Sequence, residues 1–413
     1  MMKQFKSLLF VFPVMVICSC GQNAKKEQTV TADTVQYAKG TFGYDLDFLK
    51  KRSRIIVLKS SDGKAQVIVS YKYQAKVFTS TANGNQGRSF GWVNYKAFEA
   101  KPDEHMSAYG GEDRLWLGPE GGKFSLFFKP GTKMEFANWH TPFAVDNESW
   151  NLISQNDNEV AMNKTTEMVN YANTVLAIKL ERNVKILQSA DINKMLGTTV
   201  GDKVSSVAFS TSNTIINNGN KAWDKTTGAP CLWNLDMFSP SEKTVIVVPY
   251  HENATGKVAT TDYFGQIPPD RVKYGKGILF FKADGKSRGK LGVPPNRAKT
   301  MAGSYDPEHK VLTITLYDVD SKATYLNQEW RTDKPPFVGD AVNAYNDGPL
   351  ATGGQMGPFY EIESVSPAAF LKPGEKLTHN HSVFHFTGDE AQLNSIALKT
   401  LGISLKDIQA AFK

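Results

Sequence analysis

The sequence predicts a mainly β protein, built as a large antiparallel β-sandwich with a few short helices. Many runs of β-branched and aromatic residues are separated by clusters of Gly, Asn, Asp and Pro. Segments with helical spacing are few, so the alternation of strand and helix that is typical of parallel sheets is missing. A strong hairpin signal is "RIIVLKSSDGKAQVIVSY", in which two such runs flank Asp62 and Gly63.

Further strands follow the same pattern along the chain. They are predicted at "AKVFTST", "KFSLFFK", "TEMVNYANTVLAIKLERNVKIL", "KTVIVVPY", "KGILFFKADG", "HKVLTITLYDV", "FYEIESVS" and "EKLTHNHSVFHF". Short helices are predicted at "YDLDFLKKR", at "SADINKMLG" with Ser189 as its cap, at "DEAQLNSIALKTLG", and at "SLKDIQAAF", where Ser404 and Asp407 have capping-box spacing. No fixed repeat or long linker interrupts residues 37–413, which are predicted to form one domain.

The N-terminus predicts a lipoprotein signal peptide over residues 1–19. Lys3 and Lys6 precede an apolar run of about ten residues, which is too short to span a bilayer. The run ends in "VICSCGQ", which resembles a bacterial lipobox with Cys20 as the acylated residue; an ordinary signal peptide is the alternative. Residues 20–36 are polar and predict a flexible tether. We therefore expect a lipid-anchored protein of the cell envelope, on the periplasmic face or the cell surface, that contacts the membrane through this anchor only.

Charge, cysteine content and the absence of known motifs limit the function classes that the sequence allows. The formal charge of the 413 residues is +7, and removal of Lys3 and Lys6 with the signal leaves +5 (7 − 2). Basic clusters such as Lys286, Arg288 and Lys290 are predicted to be solvated surface, and no nucleic-acid partner is expected. Cys231 is then the only thiol of the folded region, so no disulfide supports the core. Phosphate-loop, dinucleotide, serine-hydrolase and zincin motifs are absent from the sequence.

Two blocks carry a family resemblance: "GGEDRLWLGPEGGKFSLFF" at 110–128 and "YEIESVSPAAFLKPGEKLTHNHSVFHF" at 360–386. The second resembles the C-terminal signature of galactose mutarotase-like proteins, the aldose 1-epimerase superfamily. The chain as a whole, including "GDAVNAYNDGP", is similar to bacterial lipoproteins of unknown function. The resemblance implies a supersandwich with a sugar site on one sheet face, and it assigns the family's catalytic glutamate to Glu363. The histidine motif that those enzymes carry mid-chain has no counterpart here; "DNESWNL" and "CLWNLDMF" keep only fragments.

Alternation places three histidines, His379, His381 and His385, on one side of an extended strand. Glu361 and Glu363 share a face of the preceding strand. If the two strands pair about Leu371, Glu363 lies opposite His379 and Glu361 opposite His381, which predicts carboxylate–imidazole pairs. Such pairs serve as acid and base near neutral pH, so Glu363, His379 and His381 are the predicted catalytic residues. A metal site and a purely structural polar face remain the alternatives; no cofactor is expected, and metal is not favoured. His385 is the weakest member of the set.

A substrate-binding surface is predicted in the first block, where glycines frame charged and aromatic residues that suit a sugar. The predicted substrate-binding residues are Glu112, Arg114, Trp116, Glu361 and Asn346; a glycine-rich sheet corner is the alternative for the first three, and turn chemistry for Asn346. Together these patterns predict a membrane-anchored protein that binds or processes a carbohydrate, with epimerase or mutarotase chemistry as the enzymatic version. The alternatives are a non-catalytic sugar-binding protein and a structural envelope lipoprotein.

Overall fold

The computed structural model describes residues 35–146, 148–350 and 353–413. The predicted signal peptide, the lipidation site Cys20 and nearly all of the predicted tether lie outside these residues. Residues Tyr37–Lys413 form one compact unit. In the described part of the chain, no helix is long and apolar enough to cross a membrane.

Within these residues, strands greatly outnumber helices. The strands are β1 Ile56–Lys59, β2 Gln66–Ser70, β3 Lys76–Thr81, β4 Arg114–Gly118, β5 Asn151–Gln155, β6 Glu159–Val169, β7 Val175–Ile186, β8 Val204–Asn217, β9 Cys231–Phe238, β10 Val245–Pro249, β11 Val272–Gly275, β12 Ile278–Lys282, β13 Gly289–Val293, β14 Met301–Asp306, β15 Val311–Tyr317, β16 Val342–Asn346, β17 Tyr360–Val365 and β18 Lys376–Gly388. The helices are α1 Phe42–Lys50, α2 Phe143–Asp146, α3 Ser189–Leu196, α4 Glu390–Thr400 and α5 Leu405–Ala410, with a 3-10 turn at Phe136–Asn138.

The strands form three sheets, and every pairing between them is antiparallel. The first has the order β1-β2-β3. The second has ten strands in the order β11-β12-β10-β14-β15-β18-β8-β7-β6-β5, and the third has five in the order β13-β16-β17-β9-β4. The prediction of a mainly β, antiparallel fold with a few short helices is confirmed.

The predicted hairpin joins β1 to β2. Its turn contains Gly63, whose φ of 70° lies in the left-handed region that favours glycine. Ile56 pairs with Val69 and Lys59 with Gln66, so the β-branched runs form the ladder. Residues from β2 and β3 then meet α1, where Phe42, Leu46 and Leu49 are buried against them.

The ten-stranded and five-stranded sheets face each other. Ser364 of β17 contacts histidine rings of β18, and Nδ2 of Asn213 in β8 donates to Oδ1 of Asn234 in β9 at 3.2 Å. The opposite face of the ten-stranded sheet is covered by the C-terminal helices, where Phe384 of β18 lies in one apolar cluster with Leu393 and Ile396. Each such buried side chain contributes on the order of 1.5–3 kcal/mol. The layers are therefore five strands, ten strands and then helices.

Four helices occur where the sequence predicts them, with one correction. The cap of α3 is Gln188, not the predicted Ser189, because Gln188 shares a capping box with Asp191. Ser404 caps α5 as predicted and accepts from the amide of Asp407 at 3.1 Å. Eight of the described strands were not predicted: β4, β5, β8, β9, β11, β13, β14 and β16. In β8, for example, apolar residues alternate with serine and threonine that resemble loop sequence. The strand predicted at "KFSLFFK" is wrong, because this segment forms turns and bends with a single bridge from Phe128 to Trp139.

The predicted pairing of β17 with β18 is wrong. β17 pairs with β16 and β9 in the five-stranded sheet, whereas β18 pairs with β15 and β8 in the ten-stranded sheet. The connection 366–375 crosses from one sheet to the other. It is held at this crossing by Leu371, whose carbonyl accepts from the amide of Trp223 at 2.9 Å and from Nδ2 of Asn217 at 2.9 Å. The strands therefore lie face to face across the sandwich instead of edge to edge.

Candidate functional site

Alternation along β17 assigns its two faces. Tyr360 and Ser364 contact Ser304 and the histidines of the ten-stranded sheet. Glu361 and Glu363 consequently point to the other face of the five-stranded sheet, which we call the outer face. Register then places Arg114, Trp116, Trp233, Leu235, Met237, Lys290 and Tyr345 on the same outer face.

A cavity of about 120 Å³ opens on the outer face. We call it the aromatic cavity because rings dominate its walls: Trp116, Phe136, Trp139, Trp233, Phe264, Trp330, Tyr345 and Phe359. Trp116 and Trp233 meet edge to face with ring centroids 5.6 Å apart. Phe136 is 57% exposed and Met356 is 38% exposed, which places both at the rim.

Two buried ion pairs lie among these rings. Nη2 of Arg114 lies 2.5 Å from Oε1 of Glu361, and both side chains are less than a tenth exposed. Nζ of Lys290 lies 3.0 Å from Oε2 of Glu363, which also accepts from Nε1 of Trp233 at 2.8 Å. Buried charges of this kind are held by their partners, and loss of one partner is costly.

Burial shifts the acidity of the cavity's carboxyl groups. Burial raises the pKa of Glu361 to about 8, although the guanidinium of Arg114 opposes that rise. The pKa of Glu120 is also raised by burial, while its Oε1 accepts from Nε1 of Trp139 at 3.1 Å. Burial alone would lower the pKa of Lys290, but the carboxylates of Glu363 and Glu120 outweigh it and raise that pKa. The cavity therefore holds one carboxyl group, that of Glu361, with a pKa near neutral pH.

The outer face keeps two unused hydrogen-bonding atoms. Oε1 of Glu363 and Nε of Arg114 are buried and have no hydrogen-bond partner among the described residues. Unpaired buried polar atoms cost about 1–3 kcal/mol each. Arg114 lines the aromatic cavity, so its Nε is a donor for a hydroxyl-bearing ligand, whereas Glu363 is fully buried and lies outside the cavity lining.

The predicted site residues divide between two places. Arg114, Trp116 and Glu361 line the aromatic cavity, and Glu363 lies on the same outer face, fully buried beside Lys290. Two predicted substrate-binding residues do not reach it. Glu112 lies between the sheets. The side chain of Asn346, at the end of β16, instead binds a neighbouring loop: its Oδ1 accepts from the amide of Gly285 and its Nδ2 donates to the carbonyl of Ser287, each at 2.9 Å.

The histidines are also separated from the cavity. His379 and His381 point into the layer between the sheets, and Glu363 points away from it, so the predicted Glu363–His379 and Glu361–His381 pairs do not form. Instead, Oγ of Ser364 lies 2.8 Å from Nε2 of His379 and 2.8 Å from Nδ1 of His381. The cause is the crossing connection, which sets the even-numbered face of β17 against the odd-numbered face of β18.

Charge in this inner layer is distributed unevenly. Nε2 of His381 lies 2.7 Å from Oδ2 of Asp236. Burial alone would lower the pKa of His381, but the carboxylate of Asp236 outweighs it and raises that pKa. Burial lowers the pKa of His379 to about 3, so His379 is neutral near pH 7, and Ser364 links its ring to the His381–Asp236 pair.

Other polar groups fill the same layer. Nη2 of Arg182 lies 3.1 Å from Oδ1 of Asp113, and both side chains are fully buried. His385 lies with Nε2 3.0 Å from Oε1 of Glu112 and Nδ1 2.9 Å from Oγ1 of Thr313. Within the described ranges, no group of three or more His, Cys, Asp or Glu side chains could hold a metal ion. The inner layer is a network of paired polar groups that joins the sheets, in which Nδ1 of His379, Oδ1 of Asp236 and Oε2 of Glu112 have no hydrogen-bond partner among the described residues.

Sequence reasoning missed several cavity residues. Lys290 was expected on the solvated surface, but its side chain is 4% exposed, and Arg288 is partly buried with its guanidinium 4.2 Å from the ring centre of Phe264. Only Lys286 of that cluster is exposed as predicted. The alternation in "CLWNLDMF" was the available signal, because it puts Trp233, Leu235 and Met237 on one face.

A family model describing proteins of unknown function, DUF6786, matches residues 40–412. The chain belongs to this family. No curated protein matches it. Among solved structures, it is similar to a galactose mutarotase-like protein from Lactobacillus casei ATCC 334, with 13% identity, a TM-score of 0.46, and coverage of 80% of this chain and 100% of that chain. It is also similar to a galactose mutarotase related enzyme from Lactobacillus acidophilus, with 9% identity, a TM-score of 0.45, and coverage of 80% and 97%. The predicted resemblance is confirmed, and it is a similarity of fold alone.

Proposed function

We propose that the aromatic cavity binds a carbohydrate. The observation that carries the proposal is the combination of Trp116 and Trp233 with the Arg114–Glu361 and Lys290–Glu363 pairs on one sheet face. A sugar ring has apolar C–H faces, which suit aromatic rings, and hydroxyls at its edge, which suit carboxylates and guanidinium groups. The unused Nε of Arg114 adds a donor for those hydroxyls.

Binding is tested by titrating the full-length protein, in detergent, with a panel of monosaccharides while tryptophan fluorescence and heat are recorded. We expect at least one sugar to bind and Trp116→Ala to abolish that binding. The control is Trp223→Ala, which removes another buried tryptophan away from the cavity. Equal loss of affinity in both variants, or no binding of any sugar by the wild type, would refute the proposal.

A second candidate function is mutarotase-type catalysis, which the raised pKa of Glu361 favours. In ring opening, a base takes the proton of the anomeric hydroxyl, the bond between the anomeric carbon and the ring oxygen breaks, and an acid protonates that oxygen. A protonated Glu361 would serve as the acid and the carboxylate of Glu120 as the base. Polarimetry decides: we expect Glu361→Gln to lose activity and Glu99→Gln, at an exposed carboxylate, to retain it. Wild-type rates equal to the buffer rate leave the binding function only.

We also propose that Cys20 is acylated and anchors the protein in the cell envelope. The lipobox-like "VICSC" ending of the apolar run supports this, and the polar residues 20–36 would separate the lipid from the β domain. Metabolic labelling with an alkyne fatty acid tests it. Wild type should incorporate the label and float with membranes, and Cys20→Ser should do neither, whereas Cys18→Ser should behave as wild type.

A further inference from the structure

A second cavity, of about 460 Å³, lies beside the aromatic cavity. We call it the cationic cavity because its lining includes Lys39, Arg88 and Lys96, together with the polar side chains of Asn94 and Ser239. Lys39 and Lys96 are exposed, whereas Arg88 is partly buried. The cavity is therefore an open, polar hollow with an arginine in its wall.

The two cavities are neighbours. Met356 lines both of them. Trp92, in the wall of the cationic cavity, packs on Phe359, in the wall of the aromatic cavity, with ring centroids 4.7 Å apart. The two cavities therefore share a boundary at Met356.

The cations of the cationic cavity form no close ion pair with the described residues, although Asp306 attracts Arg88 and Asp45 attracts Lys39 at longer range. No described carboxylate lies within 4 Å of the guanidinium of Arg88 or of the ammonium groups of Lys39 and Lys96. The one acidic residue of the lining, Asp45, is occupied, because its two oxygens accept from the hydroxyls of Ser89 and Tyr95. Burial raises the pKa of Asp45 to about 6, so it keeps most of its negative charge near pH 7. Three cationic side chains thus line the cavity, together with one carboxyl group that is already hydrogen-bonded within the protein.

The small volume of the aromatic cavity means that a larger ligand would also contact residues outside it. The aromatic cavity, at about 120 Å³, is smaller than the roughly 300–1,000 Å³ that is typical of pockets for drug-sized ligands. A saccharide longer than one ring must continue outside it. The cationic cavity, which Met356 also lines, has Arg88 in its wall, and guanidinium groups bind carboxylates and sulfates through paired hydrogen bonds.

We infer that the ligand is an acidic saccharide of at least two rings, with one ring in the aromatic cavity and the carboxylate or sulfate of the next ring in the cationic cavity. The inference rests on the proposed carbohydrate binding and adds the chemical class of the ligand. Arg88 is the residue that selects for the anion, and Met356 marks the boundary between the two subsites.

An array of matched oligosaccharides tests this inference on the full-length protein. Each uronic-acid oligosaccharide is printed beside its methyl ester, which has the same rings without the charge, and each sulfated disaccharide beside its desulfated form. Binders are then measured by calorimetry with wild type, Arg88→Gln and Arg54→Gln. Arg54 is an exposed arginine outside both cavities and serves as the matched control.

We expect acidic members to bind and their neutral forms to bind about tenfold or more weakly. Arg88→Gln should remove this preference while leaving the affinity for the neutral forms unchanged, and Arg54→Gln should have no effect. Preference for carboxylates or for sulfates identifies the source of the charge. Neutral forms that bind as tightly as acidic ones, or an unchanged preference in Arg88→Gln, overturn the inference and leave the proposed function intact. Absence of any binding on the array refutes the proposed function and this inference together.

Discussion

Nε2 of His381 lies 2.7 Å from Oδ2 of Asp236, and the pair joins the two sheets of the sandwich from positions that are fully buried. His381 belongs to β18 and Asp236 to β9, so neither strand can shift register without separating them. Ser364 extends the pair to His379 at 2.8 Å. The histidines that suggested chemistry in the sequence therefore hold the sandwich together, and their titration should govern its stability.

Replacement of Asp236 by Leu should lower the free energy of unfolding at pH 7 by about 3–5 kcal/mol, because His381 keeps its burial and loses its charge partner. Urea unfolding monitored by tryptophan fluorescence measures the change. Asp333→Ala is the control, since Asp333 pairs with Arg331 at the surface, where solvent screens the attraction. Similar midpoints for Asp236→Leu and wild type would contradict a stabilising role of the pair.

Acid should destabilise the wild type partly through His379. Its folded-state pKa of about 3 lies below the ordinary value of 6.5, so the unfolded chain takes up the proton first. This contribution to stability is complete above pH 6.5 and is lost as the pH falls toward 3, by up to about 1.4 kcal/mol per pH unit. His379→Gln, which can keep a hydrogen bond to Ser364, should flatten the dependence over this window.

The measurement is urea unfolding at intervals of half a pH unit from pH 7 to 4, with the variant curve subtracted from the wild-type curve. The subtraction is needed because the raised pKa of Asp236 acts in the opposite direction over part of the same range. His251→Gln, at an exposed histidine, should leave the slope unchanged. Parallel wild-type and His379→Gln curves would show that His379 titrates normally in the folded protein.

Removal of the Lys290 ammonium alone should lower stability more than removal of both charges of the Lys290–Glu363 pair. Lys290→Met leaves Glu363 buried without its partner and should cost about 3–5 kcal/mol. The double variant Lys290→Met/Glu363→Gln removes both charges and keeps an acceptor for Trp233, so it should recover most of that loss. Thermal unfolding of the three proteins tests this, and a double variant no more stable than the single one would count against the argument.

The C-terminal helices should depend on their caps. Asp389 accepts from the amide of Gln392 at 3.0 Å at the start of α4, and Asp389→Ala should lower stability by about 0.5–2 kcal/mol. The loss should be accompanied by faster amide exchange in α4 and α5 than in β18. Asp407→Ala, in the first turn of α5, offers a comparison within the same layer, with a smaller effect expected because Ser404 remains as the cap. Unchanged exchange in α4 would mean that its packing alone maintains the helix.

Several residues of the candidate site could be predicted from local patterns in the sequence. Arg114 and Trp116 share the parity of one strand and Glu361 that of another, and all three line the aromatic cavity. The role of Lys290 could not be predicted, because a lysine within a basic cluster resembles a solvated surface residue. Its burial depends on the carboxylate of Glu363 and on the ring of Trp233, whose centre lies 4.4 Å from Nζ. Such a partner is distant in the chain and has no local signature.

The sequence by itself determined the class of fold, the hairpin at Gly63, most strand and helix positions, and which residues share a face of each strand. These features depend on side-chain alternation, turn conformation and helix caps, all of which act over a few residues. Only the tertiary structure decided which strands are neighbours and which faces meet. Residues 366–375 can either turn back along an edge or cross between sheets, and that choice depends on the packing of whole layers. The crossing sends Glu361 and Glu363 to the outer face of the five-stranded sheet and His379 and His381 to the layer between the sheets.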